Sequence, residues 1–351
     1  RPSMVLAVAY ALNSHQEVHR APHQNTVKLA SACASSTDSA SCSKSGASSA
    51  KRCGGYGRDV REIVAEKEKC HAETAPVFPY LTHHSHSDTS AMYATPTQKR
   101  LAEIAEMIHT ASLFHDDVID KATTRRNLDS VNQVFGNKLA ILGGDFLLSR
   151  ASVSLARLRN YEVVELMSTV IEHLVKGEIM QMKPSSSGKS ALEYYLRKNF
   201  YKTASLMGHS CLCAAVLGGY NEECKRAAYL YGTYVGQAFQ LIDDALDFEG
   251  TTSILGKAPL ADLKSGLATA PTLFAAEEFP KLLTLIGRKF EGPGDVDEAL
   301  VLVKQSQGLK KCKELAQVHA ELAIEAISVL EPSPARDSLI ALACKVVSRT
   351  Y

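Results

Sequence analysis

The chain has 351 residues, a net charge of +1 and 45% hydrophobic residues, enough for one large helical domain or two smaller ones. The near-neutral charge gives no reason to expect binding to nucleic acid or charge-driven binding to a membrane surface. No apolar run approaches the roughly 18 residues of a membrane span. Nine cysteines without a CxxC pair predict reduced thiols in an intracellular protein rather than a zinc or redox motif.

The first 94 residues divide into two parts. Residues 1–12 (RPSMVLAVAYAL) predict a helix with Pro2 in its first turn, where the missing N–H costs nothing. Residues 13–94 contain a Ser/Ala/Cys tract from Ser31 to Ser49, a composition that cannot bury enough apolar area to offset chain entropy. We therefore expect a disordered insertion over residues 13–94, in which the segment LTHHSHSD is more typical of a polar loop than of a metal site.

From residue 95 to residue 351 the sequence has the periodicity of helices. Thr95, Pro96 and Gln98 fit a capping box with proline at the first helical position. Apolar residues spaced three and four apart then predict helices at 138–158, 162–182, 193–217, 223–247, 268–279, 295–305, 310–330 and 333–348. Because βαβ and hairpin signals are missing from the sequence, the prediction is an all-α bundle.

Two aspartate clusters share the spacing DDxxD within this helical region. The first lies in HDDVID and the second in QLIDDALDFEG, and their members are Asp116, Asp117, Asp120, Asp243, Asp244 and Asp247. Residues three and four apart share a helix face, so each cluster directs three carboxylates the same way. A single acidic triplet is usually a solvated surface, but two copies embedded in apolar sequence favour a functional site.

Carboxylates packed this closely repel one another unless a cation lies between them. Mg²⁺ prefers a few carboxylates together with water and substrate phosphate oxygens. Helical bundles build such sites from side chains that point inward from facing helices. The sequence therefore predicts a diphosphate held across a central cavity by bridging magnesium ions.

Several further motifs accompany the clusters. They are IHTASL (108–113), TRR (124–126), GGDFLL (143–148), YKTASL (201–206), GQAFQ (236–240), GKAPLADLKSGLATAP (256–271), PGDVDEA (293–299) and EPSPARDSLI (331–340). With both DDxxD motifs, this set resembles the trans-isoprenyl diphosphate synthases (polyprenyl synthetases), and within them the mitochondrial solanesyl/decaprenyl type that makes the ubiquinone tail. The resemblance covers about residues 95–351 and the first dozen residues.

The resemblance implies the isoprenoid-synthase helical bundle and a Mg²⁺-dependent prenyltransferase. An allylic diphosphate, farnesyl or geranylgeranyl, would ionise and be attacked by isopentenyl diphosphate. By resemblance Arg125, Lys202 and Lys257 contact the allylic diphosphate, and Arg1, His109 and Arg126 contact isopentenyl diphosphate. The catalytic set is completed by Thr203 and Gln240, whose oxygens would lie near the carbocation.

Product length is predicted from the residues one turn before the first cluster. Ala111 and Ser112 are both small, whereas relatives that stop early tend to carry aromatic residues there. Small residues leave a tunnel open, which predicts a long product.

Some residues depart from the pattern of the family. Asn127 stands in place of a glycine, Ala258 in place of a proline, and Leu267 where many short-chain members have lysine. Arg1 and Pro2 resemble the end of a Gly-Lys-x-x-Arg-Pro segment, which predicts that the sequence is a fragment. A mitochondrial location is implied by resemblance, with any targeting segment outside this chain.

Other functions remain open at this point. The chain could be a partner-dependent or non-catalytic subunit of a hetero-oligomer, although such subunits typically lose one Asp motif. A terpene cyclase would usually replace the second DDxxD motif, and a shorter-chain geranylgeranyl synthase would need a shorter tunnel. The expected assembly is a homodimer or a heteromer with a second synthase subunit, with peripheral membrane association through the product.

Overall fold

A computed structural model describes residues 2–20, 94–125, 128–182, 189–249 and 260–349. In chain order the helices are α1 Pro2–Arg20, α2 Pro96–Ile119, α3 Val131–Phe135, α4 Asn137–Arg157, α5 Tyr161–Met182, α6 Lys189–Asn199, α7 Ser205–Leu217, α8 Glu222–Glu249, α9 Ala261–Lys264, α10 Ala270–Glu278, α11 Lys281–Gly287, α12 Asp295–Gln305, α13 Gly308–Ala326 and α14 Pro334–Val347. A π-helical turn, Phe200–Ala204, joins α6 to α7 and is called the π segment below, and a 3₁₀ turn follows α13 at Ile327–Val329. The all-α prediction is confirmed.

The start of α2 follows from its capping residues. The Thr95 hydroxyl accepts a hydrogen bond from the Gln98 amide at 3.2 Å, and the Gln98 side chain accepts one from the Thr95 amide at 2.9 Å. These bonds satisfy backbone donors that the first turn leaves without partners. Gln98 also donates to the Ala214 carbonyl on α7 at 2.9 Å, so the same residue fixes α2 against the core. The capping box predicted from the sequence is confirmed.

Helix α8 runs through the middle of the bundle and is buried along most of its length. It packs most extensively against α7 and α13, and it contributes to hydrophobic clusters on three sides. Two glycines let its neighbours approach closely. A Cβ on Gly232 would lie 2.6 Å from the Met207 carbonyl oxygen, and one on Gly236 would lie 2.6 Å from the Ala204 Cα. Helix α8 is therefore pressed against the π segment and α7, which places its polar face beside the π segment.

Several elements differ from the sequence prediction. Helix α1 continues to Arg20 instead of ending at residue 12, and its Asn13 is buried and accepts a hydrogen bond from Tyr220. A short antiparallel hairpin pairs Thr124–Arg125 with Leu128–Asp129, although the sequence showed no hairpin signal. The helix predicted over 193–217 is interrupted by the π segment, and the short helices α3, α9 and α11 were not predicted. The insertion expected at 13–94 falls, from residue 21 to residue 93, outside the described residues.

Helix α4 contradicts the expectation that no segment matches a membrane span. Among the described residues it is the one helix long and apolar enough to cross a bilayer by length and composition. Core helices of soluble proteins pass the same test, but α4 is mostly exposed. The apolar face of α4 is therefore largely accessible on the single chain.

Candidate active site

The first aspartate cluster occupies the last turn of α2, where each carboxylate has a different environment. Asp117 is buried and is bound by Arg125 of the hairpin, whose Nε lies 2.8 and 3.0 Å from its two carboxylate oxygens. Asp116 is half-buried, and Asp120 ends the helix and is exposed. The hairpin thus supplies a cation to the middle aspartate and leaves the outer two outside that ion pair.

Asp116 lies beside Lys202 and Glu178. The Lys202 Nζ is 2.7 Å from a Glu178 oxygen and 3.9 Å from an Asp116 oxygen. Burial raises the pKa of Asp116 to about 6, and Glu178 and Asp120 raise it while Lys202 lowers it. Burial alone would lower the pKa of Lys202, but attraction to Asp116 and Glu178 raises it overall, so Lys202 stays charged. Negative groups outnumber the cation here, an imbalance that a divalent metal would relieve.

Lys202 and Thr203 lie in the middle of the π segment. A π-helical turn inserts one residue into an α-helix and is frequent at functional sites. The backbone of this segment approaches α5 at Gly177, where a Cβ would lie 2.8 Å from the Lys202 nitrogen. A glycine at position 177 therefore allows Lys202 to reach Glu178 and Asp116.

The second cluster lies on α8 and is connected to Thr203. The Thr203 hydroxyl donates to the Gln240 side-chain oxygen at 2.9 Å, and the Gln240 amide donates to Asp244 at 2.8 Å. The Tyr195 hydroxyl donates to the other Asp244 oxygen. Burial, followed by repulsion from Asp262, raises the pKa of the Asp244 carboxyl, while its hydrogen bonds lower it. Asp244 is thus held by α6 and by its own helix.

The other two members of this cluster differ in exposure. Asp243 is half-buried and pairs with Arg349 near the C-terminal end of α14, and the Arg349 guanidinium lies 4.5 Å from the centre of the Phe239 ring. Asp247 is buried, and one of its oxygens accepts a hydrogen bond from the Asp262 amide at 3.3 Å. Protein groups therefore contact all three carboxylates of this cluster, and Asp243 is the member that is not buried.

Two adjacent residues join the clusters. Lys202 contacts the first cluster through Asp116, and Thr203 is linked to the second through Gln240. The spacing predicted that the clusters face each other, and these contacts connect them through one turn of helix. A diphosphate between the clusters would have a cation and a hydroxyl within reach at the same point.

The chemistry of these side chains suits Mg²⁺. In the part of the chain that the structure describes, no three His, Cys, Asp or Glu side chains are close enough to enclose a metal ion. Magnesium is usually held by one or two carboxylates plus substrate phosphates, not by a closed protein cage. The oxygen-only donors of the two clusters and the raised pKa of Asp116 fit such an open site.

The other predicted site residues are placed as follows. Ala111 is fully buried on α2, and the half-buried Ser112 donates a hydrogen bond to the carbonyl oxygen of His109 at 2.8 Å. Both small residues therefore lie on the helix that carries the first cluster, one turn before it. Arg1, Arg126 and Lys257 lie outside the described residues.

Sequence reasoning missed several residues of the site, namely Glu178, Tyr195, Lys198, Asp262 and Arg349. Lys198 lies one turn before Lys202, with its Nζ 5.4 Å from the centre of the Tyr195 ring; burial lowers its pKa, against the attraction of Asp244. Glu178 could have been found as a lone acid after a glycine in the apolar stretch VKGEIMQM. Asp262 lies within the motif GKAPLADLKSGLATAP, whereas Tyr195, Lys198 and Arg349 carry no local signal, because they contact or face residues distant in sequence.

Comparison with known proteins defines the class of the chain. The profile of the family described as Polyprenyl synthetase matches residues 79–303. The chain is 50% identical over 259 residues to the mitochondrial solanesyl-diphosphate synthase 1 of Oryza sativa, a match covering 72% of this chain and 60% of that protein. The chain belongs to the polyprenyl synthetase family.

Two further relatives support the assignment. The human all trans-polyprenyl-diphosphate synthase PDSS1 is 47% identical over 267 residues, covering 76% of this chain and 63% of that protein. A crystal structure of a polyprenyl synthase from Caulobacter crescentus, complexed with calcium and isoprenyl diphosphate, is 32% identical and superposes with a TM-score of 0.67. That match covers 73% of this chain and 79% of the crystallised chain. The chain spans about three-fifths of the length of the curated relatives it matches.

Proposed function

We propose that this chain elongates an allylic diphosphate with isopentenyl diphosphate and forms a long trans-polyprenyl diphosphate for the ubiquinone side chain. The observation that carries the proposal is the placement of Lys202 and Thr203 between the two aspartate clusters. The solanesyl and all-trans-polyprenyl names of its relatives support a long product, and the mitochondrial name of the rice relative supports a mitochondrial location.

This placement supports the roles of Lys202, Thr203 and Gln240, and the family resemblance supports the roles of the other residues. Lys202 would bind the departing diphosphate, and a fixed cation there stabilises the charge that develops as the carbon–oxygen bond breaks. Thr203 and Gln240 would direct oxygen dipoles at the carbocation, which stabilises it without forming a bond. Arg125 and Lys257 would add cations to the allylic diphosphate. Arg1, His109 and Arg126 would bind isopentenyl diphosphate.

The two clusters would hold the metal. Magnesium, when bound, would neutralise the charge on the leaving diphosphate. We propose direct ligation by Asp116, Asp120 and Asp243, because these carboxylates reach solvent. The buried members, Asp117, Asp244 and Asp247, would act within the same clusters by fixing the geometry, since they are closed to solvent as well as bound by protein groups. Asp243 is bound by Arg349 but remains open to solvent.

A product assay tests this function. The purified chain is incubated with magnesium, isopentenyl diphosphate and either farnesyl or geranylgeranyl diphosphate, and the products are sized by chromatography. We expect long polyprenyl products from the parent chain and a fall of at least about a hundredfold in Lys202→Gln, typical of losing a group that stabilises transition-state charge. Lys176→Gln, which removes an exposed lysine on α5, serves as the matched control. Equal rates for Lys202→Gln and the control would refute the role of Lys202.

We further propose that a second copy of the chain covers α4. Leu139, Leu142, Phe146 and Val153 are 57, 60, 65 and 41% exposed, and their spacing of three, four and seven residues places them on one face. The exposed residues Val175, Ile179 and Met182 of α5 add to the apolar surface of the protein. A row of apolar residues with this spacing, called the apolar seam of α4 below, is typical of helix–helix pairing. Large exposed apolar patches also mark interfaces.

The oligomeric state tests the pairing of α4. We expect a dimer by light scattering coupled to gel filtration, and dissociation to monomers in Phe146→Glu, because a charge in an apolar seam cannot be desolvated without a partner. Val301→Glu, at an isolated exposed apolar residue of α12, is the control and should leave the dimer intact. A monomeric parent chain would refute the pairing.

A further inference from the structure

One histidine of α5 touches the π segment at its beginning and just beyond its end. The His173 ring lies 5.7 Å from the Phe200 ring and 4.8 Å from the Tyr201 ring, centre to centre. Its Nδ1 is 2.7 Å from the hydroxyl of Ser205, the first residue of α7. His173 therefore contacts the residues on both sides of Lys202 and Thr203, without touching the aspartate clusters in any described contact.

The positions of the protons on His173, His209 and Ser205 can be assigned from their hydrogen bonds. His209, one turn along α7, has its Nδ1 2.9 Å from the Ser205 carbonyl oxygen, which can only accept, so His209 carries a proton on Nδ1. The Ser205 hydroxyl is then free to donate to His173, whose Nδ1 accepts. Burial lowers the pKa of His173 to about 4 and also lowers that of His209, which agrees with two neutral rings.

The bond between Ser205 and His173 is not replaceable by water, because Ser205 is fully buried. The Ser205 hydroxyl also lies 3.2 Å from Nδ1 of His209, but that nitrogen carries a proton and cannot accept one. Removing His173 would therefore leave the buried hydroxyl proton without its acceptor, which is unfavourable. The hydroxyl can then turn back to a carbonyl oxygen of the preceding turn, which belongs to the π segment, and such a bond bends a helix at the point where the π segment returns to regular α-helix.

The directions of the Lys202 and Thr203 side chains depend on the π segment. Lys202 points toward Asp116 and Glu178, and Thr203 points toward Gln240 on a different helix. Each residue of a helix advances about 100°, so loss of the one inserted residue would rotate these side chains by about that angle relative to α7. Both contacts would then be lost together.

We propose that His173 is a positioning residue: by binding Ser205 and packing on Phe200 and Tyr201 it keeps the π segment in the register that directs Lys202 and Thr203 to the two clusters. The effect on catalysis rests on the proposed function, whereas the effect on the register does not.

Steady-state kinetics test the catalytic part. In His173→Phe, which keeps a ring and removes the acceptor, and in Ser205→Ala, we expect kcat to fall roughly tenfold to a hundredfold, as for small displacements of reacting groups. The KM for isopentenyl diphosphate should not change. His173→Asn, whose side-chain oxygen can take the place of Nδ1, should recover part of kcat. Ser210→Ala removes another buried hydroxyl of α7 and is the control.

Hydrogen exchange tests the register without requiring turnover. The peptide covering residues 200–205 should exchange faster in His173→Phe and Ser205→Ala than in the parent chain or in Ser210→Ala. Unchanged exchange in that peptide would overturn the inference whether or not the parent makes product. A parent that makes no product, with faster exchange in the variants, would refute the proposed function and leave the positioning role standing.

Discussion

The ion pair between Arg125 and Asp117 provides a quantitative test of how the first cluster is built. The Asp117 side chain is 2% exposed and the Arg125 side chain 38% exposed. We consider Arg125→Gln and Asp117→Asn, each of which removes one charge and keeps a similar shape, and the double variant. The metal and both substrates are absent from this experiment, so that the pair alone is measured.

The expected loss follows from the burial of the carboxylate. Removing one partner of a fully buried ion pair costs about 3–5 kcal/mol, because the other charge remains desolvated. Solvent screening at the partly exposed Arg125 reduces this to about 2 kcal/mol of unfolding free energy for Arg125→Gln. Asp117→Asn should cost about 1 kcal/mol, since the released guanidinium can be hydrated. The double variant should lose no more than Arg125→Gln, which gives a coupling of about 1 kcal/mol.

The assay is urea denaturation followed by two spectroscopic probes, whose transitions must coincide for the free energies to be compared. Arg100→Gln is the control, because Arg100 and Glu103 form an ion pair in which both side chains are more than half exposed. Such pairs contribute about 0–1 kcal/mol. A loss in Arg125→Gln no larger than in this control, or a coupling near zero, would refute the structural role of the pair.

Three further predictions concern the metal, the tunnel and the π segment. Because burial raises the pKa of Asp116 to about 6, the apparent magnesium affinity should fall about tenfold per pH unit below about 6, and Asp116→Asn should abolish this dependence. In metal-free protein the stability from protonated Asp116 is present at low pH and lost as pH rises through about 6, which pH-dependent thermal unfolding can check. Ala111→Phe and Ser112→Phe should shorten the product seen by chromatography; an unchanged distribution in both would refute the tunnel. Gly177→Ala should lower activity, since its Cβ would lie 2.8 Å from the π-segment backbone. The control is Gly287→Ala at the end of α11, whose Cβ would meet no atom within 4 Å; equal activity in the two would contradict the steric argument.

The sequence alone determined the fold class, the two aspartate clusters and the family. These features are local: a DDxxD spacing sets a helix face, and apolar residues three and four apart set a buried one. The helices predicted for residues 138–158, 162–182 and 295–305 agree with the structure to within a residue or so. The match to the polyprenyl synthetase family extends over residues 79–303, a region that contains both clusters.

Only the tertiary structure decided which protein groups contact each carboxylate and how deeply it is buried. Three of the aspartates are distinguished by the residue that binds them: Arg125 binds Asp117, Tyr195 binds Asp244 and Arg349 binds Asp243. The last joins residues 106 positions apart, a pairing that no periodicity specifies. The π segment likewise depends on packing against α5, α7 and α8. A π turn is less favourable than regular α-helix, so contacts with these helices must stabilise it. Local spacing fixes which groups share a helix face, whereas burial and partner choice arise when the helices pack.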